Sequence, residues 1–341
     1  MHGNSAFAHH NSGIVGLAAV EAPIVVTSAW IDEQLADTYR RTGIRPGVLA
    51  GVAGIEARRW WDEGTSFADA AAMAGRAAID DAGIDPSEIG LLISTSVCKD
   101  HLEPSVACAV HHRLGLPSTC SNFDLGNACL GFINAIHVAS SMIDQGIVEY
   151  ALIVDGEGSR HTQQATIDRL QRHDVTAAEV FSEFASLTLG SGAAAMVLGR
   201  MERHPDAHRI VGGVARAATQ HHQLCVGTLD RMTTDTAGLL AAGLDLAAEA
   251  WADVPADLGW HQPLDWYILH QVSKVHTSML CERLGIDPAR APLTYPTYGN
   301  VGPAAVPITL AGVQHRIGVG ERVLCMGIGS GLNTSATEIC W

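Results

Sequence analysis

The 341-residue chain repeats itself, and the repeat limits what it can fold into. The apolar run LLISTSV (91–97) is echoed by WYILHQV (266–272), and ALIVDGE (151–157) by VLCMGIG (323–329). Between them, LGNACLGFINAI (125–136) is echoed by YGNVGPAAVPITLA (298–311). Gly126 precedes Gly299 by 173 residues, and Ala151 precedes Val323 by 172. The G-S-G at 190–192 recurs at 329–331, an offset of only 139. The register slips once, by about the length of the polar, helix-like stretch 158–187. Apolar strands resemble one another by chance, but chance does not hold a constant offset broken by one insertion.

Each half reads as a β-α-β-α-β-β unit whose strands are continuous apolar runs, the signature of a sheet buried on both faces. The expected fold class is α/β, with halves at 1–200 and 201–341 and the insertion at 158–187. SGIVGLAAVEAP (12–23) reads as a first strand, followed by a helix around Ser28 to Thr42. Ser66-Phe67-Ala68-Asp69 is a capping box opening an Ala-rich helix that stops before Gly83. Pro104 is expected to open the next helix, where its missing N–H does no harm. Gly146 breaks the helix after Cys129, and residues 190–200 return to strand.

Charge excludes two functional classes. Asp and Glu outnumber Lys and Arg, 36 to 21, for a net charge of −15, which argues against nucleic acid and anionic membrane surfaces. No run of 18 apolar residues offers a membrane span, and the N-terminus lacks the pattern of a signal peptide. Eight cysteines include no C-x-x-C and no Cys/His zinc spacing, so no metal site is expected. They suit reduced thiols in a cytosol. One basic cluster stands out: Arg40, Arg41, Arg45, Arg58 and Arg59. It suits either an anionic ligand or ordinary surface ion pairs.

The chemistry centres on DLGNACLGF (124–132). Cys129 lies where a strand turns into a helix between Gly126 and Gly131. Unpaired N–H groups at a helix N-terminus favour thiolate over thiol. A free cysteine is more often a small buried core residue, so the rest of the chain must decide. Three second-half features converge on the same place under the duplication. His270 ends the strand WYILHQ. Asn300 sits in a tight turn before a helix, where capping is its commoner use. Gly329-Ser330-Gly331 can offer backbone N–H groups to an oxyanion. A thiol with two neutral donors suits thioester chemistry.

These strings resemble the thiolase superfamily over essentially the whole chain: NACLGFINAI around Cys129, ILHQVSKVH around His270, YGNVGPAAVP around Asn300 and GIGSGLN around Ser330. The nearest branches are the β-ketoacyl synthase III type and the OleA type, which condenses two acyl-CoAs head to head. LDRMTTDT, VAGIEARRWWD and SVCKDHLEPS resemble the OleA type more closely. The resemblance implies a five-layered αβαβα thiolase fold. It implies that Cys129 is acylated, that His270 and Asn300 hold the second thioester oxygen, and that Ser330 and Gly331 flank the acyl-enzyme oxyanion hole. Synthase III carries Asn after H-Q-A, whereas Ser273 follows His270-Gln271-Val272 here.

Glu103 separates the two branches. Decarboxylation of a malonyl group yields a carbanion without a base, but two plain acyl-CoAs need one to remove a C–H proton. The OleA type carries Glu at this point of a loop that crosses the dimer interface. The resemblance therefore implies a cytoplasmic homodimer acting on acyl-CoA, without a cofactor, to give a 2-alkyl-3-oxo acid for downstream enzymes of olefin, ketone or β-lactone formation. It leaves Arg40, Arg58 and Arg59 as candidate contacts to CoA phosphates. The alternatives are a synthase III-type condensation with malonyl carrier protein, or one subunit of a heterodimeric β-lactone-pathway enzyme.

Overall fold

The computed structural model describes residues 6–341. Among these residues, ten strands form one sheet whose order mirrors about its middle. At the centre, Ser12–Glu21 and His208–Ala217 meet antiparallel through two residue pairs, Gly13 with Arg209 and Ile14 with His208. Outward from the first, the neighbours are Gly192–Arg200, Tyr150–Glu157 and Ile89–Ser94. Outward from the second, they are Asn333–Cys340, Arg322–Gly329 and Trp266–Leu269. On each side two antiparallel pairings are followed by a parallel one. The first half adds the parallel edge strand Ser121–Asp124, and Ala6–Ala8 pairs with His208–Ala217.

Side-chain alternation builds the layers, because successive strand residues face opposite sides. Along Tyr150–Glu157, residues Tyr150, Leu152 and Val154 pack against the Ala-rich helix Phe67–Ala82 and the helix Val106–Leu114. Ala151 and Ile153 face the other way, onto helix Gly131–Asp144. In the second half Leu324 and Met326 face the helices Thr236–Ala252 and Lys274–Leu284. Val323 and Cys325 join Ile133 and Ile136 in the same central core as Val306 and Leu310 of helix Ala305–Val313. The central helices are therefore largely buried, between the half-sheets, while two outer helix pairs cover the far faces. That is the expected five-layered αβαβα arrangement. The chain belongs to the α/β class, and no helix among the described residues is long and apolar enough to cross a membrane.

Local signals explain most boundaries. Ser66 and Asp69 form the reciprocal capping box, and Gly83 closes that helix in the left-handed conformation. Two details differ from expectation. The segment 28–42 is two short helices, Ser28–Gln34 and Ala36–Thr42, broken at Leu35. Pro104 does not open a helix: Ser105 caps Val106–Leu114, its hydroxyl accepting from the Cys108 N–H. A cap hydroxyl satisfies an orphan donor, which Pro cannot do. The insertion folds as helices Arg160–Leu170 and Ala177–Thr188. Ile167, Leu170, Val180 and Leu187 pack against Ile31, Leu35, Tyr39 and Trp60.

Candidate active site

The parallel strands all end on one side of the sheet, and their inward-facing positions change there from apolar to functional. Ile268 in the central core is followed two residues later by His270. Ile153 is followed by Asp155 and Glu157, and Cys325 by Gly327 and Gly329. A mostly apolar cavity of about 370 Å³ opens beyond these ends. Cys129, His270, Asn300 and Ser330 all line it, together with Cys98, Glu157 and Cys225.

Cys129 stands on a strained elbow. Ala128 is the only non-glycine among the described residues with positive φ, +45°, a conformation that L-residues other than Asn or Asp seldom adopt. The helix begins at Gly131, which has no room for a side chain: a Cβ would lie 2.9 Å from the Thr95 carbonyl oxygen. Behind the elbow, Asn333 Nδ2 donates to Asn127 Oδ1 (3.3 Å), and Asn127 Nδ2 donates to Asn134 Oδ1 (2.7 Å). Amides from the second-half hairpin and the central helix thus fix the loop carrying the cysteine.

The thiol is not the ready-made thiolate expected from its place near a helix start. The residue is half-buried in the cavity wall. Burial, then the charges of Cys225 and Glu157, push its pKa up to about 12. His270 is 8% exposed, and both of its ring nitrogens lack a hydrogen-bond partner. Burial, then His276, lowers its pKa to about 4, against a smaller upward pull from the nearby Gly302 backbone. It is therefore neutral at pH 7, with one lone pair and one N–H to offer. Gly327 keeps it close to the elbow: a Cβ there would sit 3.2 Å from His270 Cβ and 2.9 Å from Leu130 Cδ2.

Asn300 is held at its backbone and its side chain. Its N–H donates to the Thr188 carbonyl (2.8 Å), and its own carbonyl accepts from Gly190 N–H (2.8 Å). Its Oδ1 accepts from Gly302 N–H at 3.0 Å, the capping use of Asn. That bond leaves the Nδ2 donor unspent. Ser330 is in the cavity wall, in the turn after strand Arg322–Gly329, and Gly331 follows it at φ +131°. Ser273 caps helix Lys274–Leu284 through His276 N–H (3.4 Å).

The remaining expected residues lie elsewhere. Glu103 is exposed on a loop outside its own chain's cavity, next to Leu102, which is 97% exposed. No arginine of the basic cluster lines the cavity. Arg58 does not suit a phosphate contact: it is fully buried, donating to Ser28 Oγ (3.0 Å) and the Leu187 carbonyl (3.0 Å). It ties the N-terminal segment to the insertion. Arg59 pairs with Glu21, and Arg40 and Arg41 pair with Asp37. Arg41 also donates to the carbonyls of Arg172 and His173. Three members of the cluster are thus ion-paired, Arg58 is buried, and Arg45 is exposed at its end.

Sequence reading passed over Asp155 and Glu157. Their signal was present: two acids at i, i+2 at the end of an apolar strand, on the face that packs inward.

Comparison with known proteins agrees with the geometry. Residues 123–215 match the family 3-oxoacyl-[acyl-carrier-protein (ACP)] synthase III, and residues 260–341 match its C-terminal counterpart. An acyl-CoA:acyl-CoA alkyltransferase of Xanthomonas campestris is 47% identical over 97% of this chain and 99% of its own. That of Shewanella oneidensis is 35% identical over 96% and 98%. A β-ketoacyl-[acyl-carrier-protein] synthase III of Agrobacterium fabrum is 26% identical over 94% and 93%. A crystal structure of the Xanthomonas campestris OleA, as a cysteine-to-alanine variant, superposes with a TM-score of 0.97, 46% identity and 98% of each chain covered. A cysteine-to-serine variant with bound lauric acid and lauroyl-CoA gives 0.96 over 97% of this chain and 99% of that one. Fold and cavity define a condensing enzyme of the thiolase superfamily. Within that class, the chain belongs to the OleA family of acyl-CoA:acyl-CoA alkyltransferases.

Proposed function

We propose that this enzyme joins two fatty acyl-CoAs by a non-decarboxylative Claisen condensation. The observation that carries this reading is one apolar cavity lined by Cys129, His270 and Asn300, in a chain 47% identical to an acyl-CoA:acyl-CoA alkyltransferase. Neutral His270 takes the Cys129 proton as the sulfur attacks the first thioester. CoA leaves as the free thiol, and the acyl chain stays on Cys129. His270 N–H and Asn300 Nδ2 then hold the carbonyl oxygen of the second acyl-CoA, stabilising its enolate. Glu103 of the partner subunit removes the α-proton. The carbanion attacks the acyl-Cys129 carbonyl, Ser330 and Gly331 flank the oxyanion that forms, and the Cys129 sulfur departs. Water then releases a 2-alkyl-3-oxo acid and CoA.

Support for these roles comes from the Xanthomonas relative. Its solved variants alter a glutamate, a cysteine and a histidine. Glu103, Cys129 and His270 are the same residue types, in the same order and at the same spacing to within one residue. Glu103 lies outside its own cavity, which suits a base lent across a homodimer. The same reading divides the two halves near residue 200 and needs no cofactor beyond the acyl-CoA substrates. Free cysteines throughout suit a reducing cytoplasm. A 3-oxo acid calls for downstream enzymes that reduce or otherwise consume it.

The deciding experiment is Glu103→Ala incubated with one acyl-CoA. Intact mass should show Cys129 acylated as in the wild type, while condensed product falls at least about 100-fold. Unchanged condensation would remove Glu103 from the mechanism. A product that forms only with malonyl carrier protein would overturn the head-to-head reading.

A further inference from the structure

Glu157 is a buried carboxyl in the cavity wall that the mechanism above leaves unused. It ends strand Tyr150–Glu157 on the inward face, two residues after Asp155, itself hydrogen-bonded to Thr95 Oγ1. Its Oε1 accepts from the Val97 N–H at 2.6 Å. On its other side lies the Gly302 turn: a Cβ at Gly302 would sit 3.6 Å from the Glu157 carboxyl carbon. The carboxyl is thus wedged between the turn that bonds Asn300 and the start of the segment Val97–Ser105. That segment has a second root. Asp124 accepts from Lys99 Nζ (2.8 Å), Val106 N–H (3.1 Å) and Ala107 N–H (2.9 Å). Between the two roots the chain projects outward, and Glu103 lies near its tip.

We propose that Glu157 is a positioning residue, its carboxyl fixing the cavity-side root of the loop that carries Glu103. The assignment rests on the condensation mechanism proposed above. One root lies inside a subunit's own cavity and the other at its surface strand, so the Glu157 bond sets where the loop leaves the protein. The role requires an acceptor oxygen and not a charge. Burial pushes the Glu157 pKa up, and both the acid and the carboxylate can accept from Val97.

Two variants separate positioning from proton transfer. Glu157→Gln keeps the acceptor, and Glu157→Leu removes it at similar volume. Both should still acylate Cys129 by intact mass, which also reports correct folding. Glu157→Gln should condense within about fivefold of wild type, whereas Glu157→Leu should lose at least about 100-fold in kcat with KM unchanged. Amide hydrogen exchange over residues 97–107 should quicken about tenfold or more in Glu157→Leu and stay unchanged in Glu157→Gln. Equal loss of condensation in both variants would assign Glu157 to proton transfer and overturn positioning. So would wild-type condensation, or unaltered exchange, in Glu157→Leu. If the wild type acylates Cys129 yet makes no condensed product, the proposed function fails. The exchange pattern then still decides this assignment.

Discussion

The two halves share a skeleton and differ in what their strand ends carry. Tyr150–Glu157 and Arg322–Gly329 are twins of eight residues each, occupying mirrored places in the sheet. Where the first ends in Asp155 and Glu157, the second has Gly327 and Gly329. Their parallel neighbours differ too. Pairing Ile93 with Ile153 and Ile268 with Cys325 makes Thr95 the twin of His270. The first half supplies the nucleophile and keeps its acids beneath it. The second half supplies the neutral donors and gives up side chains so that the nucleophile's elbow can enter. A Cβ at Gly329 would lie 3.3 Å from the Asn127 carbonyl oxygen and 3.4 Å from the Cys129 nitrogen. Duplication provides the frame, and the chemistry lies where the copies diverge.

Writing first-half residues into the second half tests that claim. His270→Thr should have the largest effect. It removes both the acceptor for the Cys129 proton and a donor to the enolate, so kcat for condensation should fall about 1,000-fold. Acylation followed by mass spectrometry should slow as well. Preserved acylation would remove His270 from the first step. Gly329→Glu should cost about 100-fold by displacing the elbow, with slowed acylation as its mark. Normal acylation there would show that the elbow does not depend on the glycine's open space.

The smallest effect concerns stability against pH. The His270 pKa is about 4 in the fold and about 6.5 in an unfolded chain. As pH falls, the unfolded chain takes up the proton first. The stability contribution is therefore complete above about pH 6.5 and is lost as pH drops towards 4. Urea unfolding should show the wild type losing about 2 kcal/mol more than His270→Thr between pH 7 and pH 5. His137, also lowered to about 4 by burial and by its neighbour His9, titrates in both proteins and cancels in the comparison. Equal losses would mean that His270 is already solvated.

The fold was legible because periodicity survives duplication. LLISTSV and WYILHQV announce buried strands whatever surrounds them, and the slip at 158–187 marks the insertion. Cys129, His270 and Asn300 were legible because each stands beside such a strand or its turn. Three things were not legible. Arg58 lies among other arginines in the sequence, and only burial shows that it braces the insertion and does not face solvent. The thiol's environment was hidden as well. A helix start favours thiolate locally, but burial, and the charges of residues as distant as Cys225 and Glu157, act the other way. Glu157 carried a signal, as the second of two acids ending an apolar strand, but its role was not legible. Its meaning comes from the Val97 amide and the Gly302 turn, which only the folded chain brings to it.

The close approach at Gly329 also bears on how such a chain evolves. A pair of fused copies can at first be separated, since each retains a complete set of side chains. Once one copy has surrendered its bulk so that the other's nucleophile loop can occupy the space, neither is a working unit. Gly327 and Gly329 then act as a ratchet. Restoring a side chain there damages the neighbour's site and gives the second half no nucleophile of its own, so the fusion is difficult to reverse by single steps.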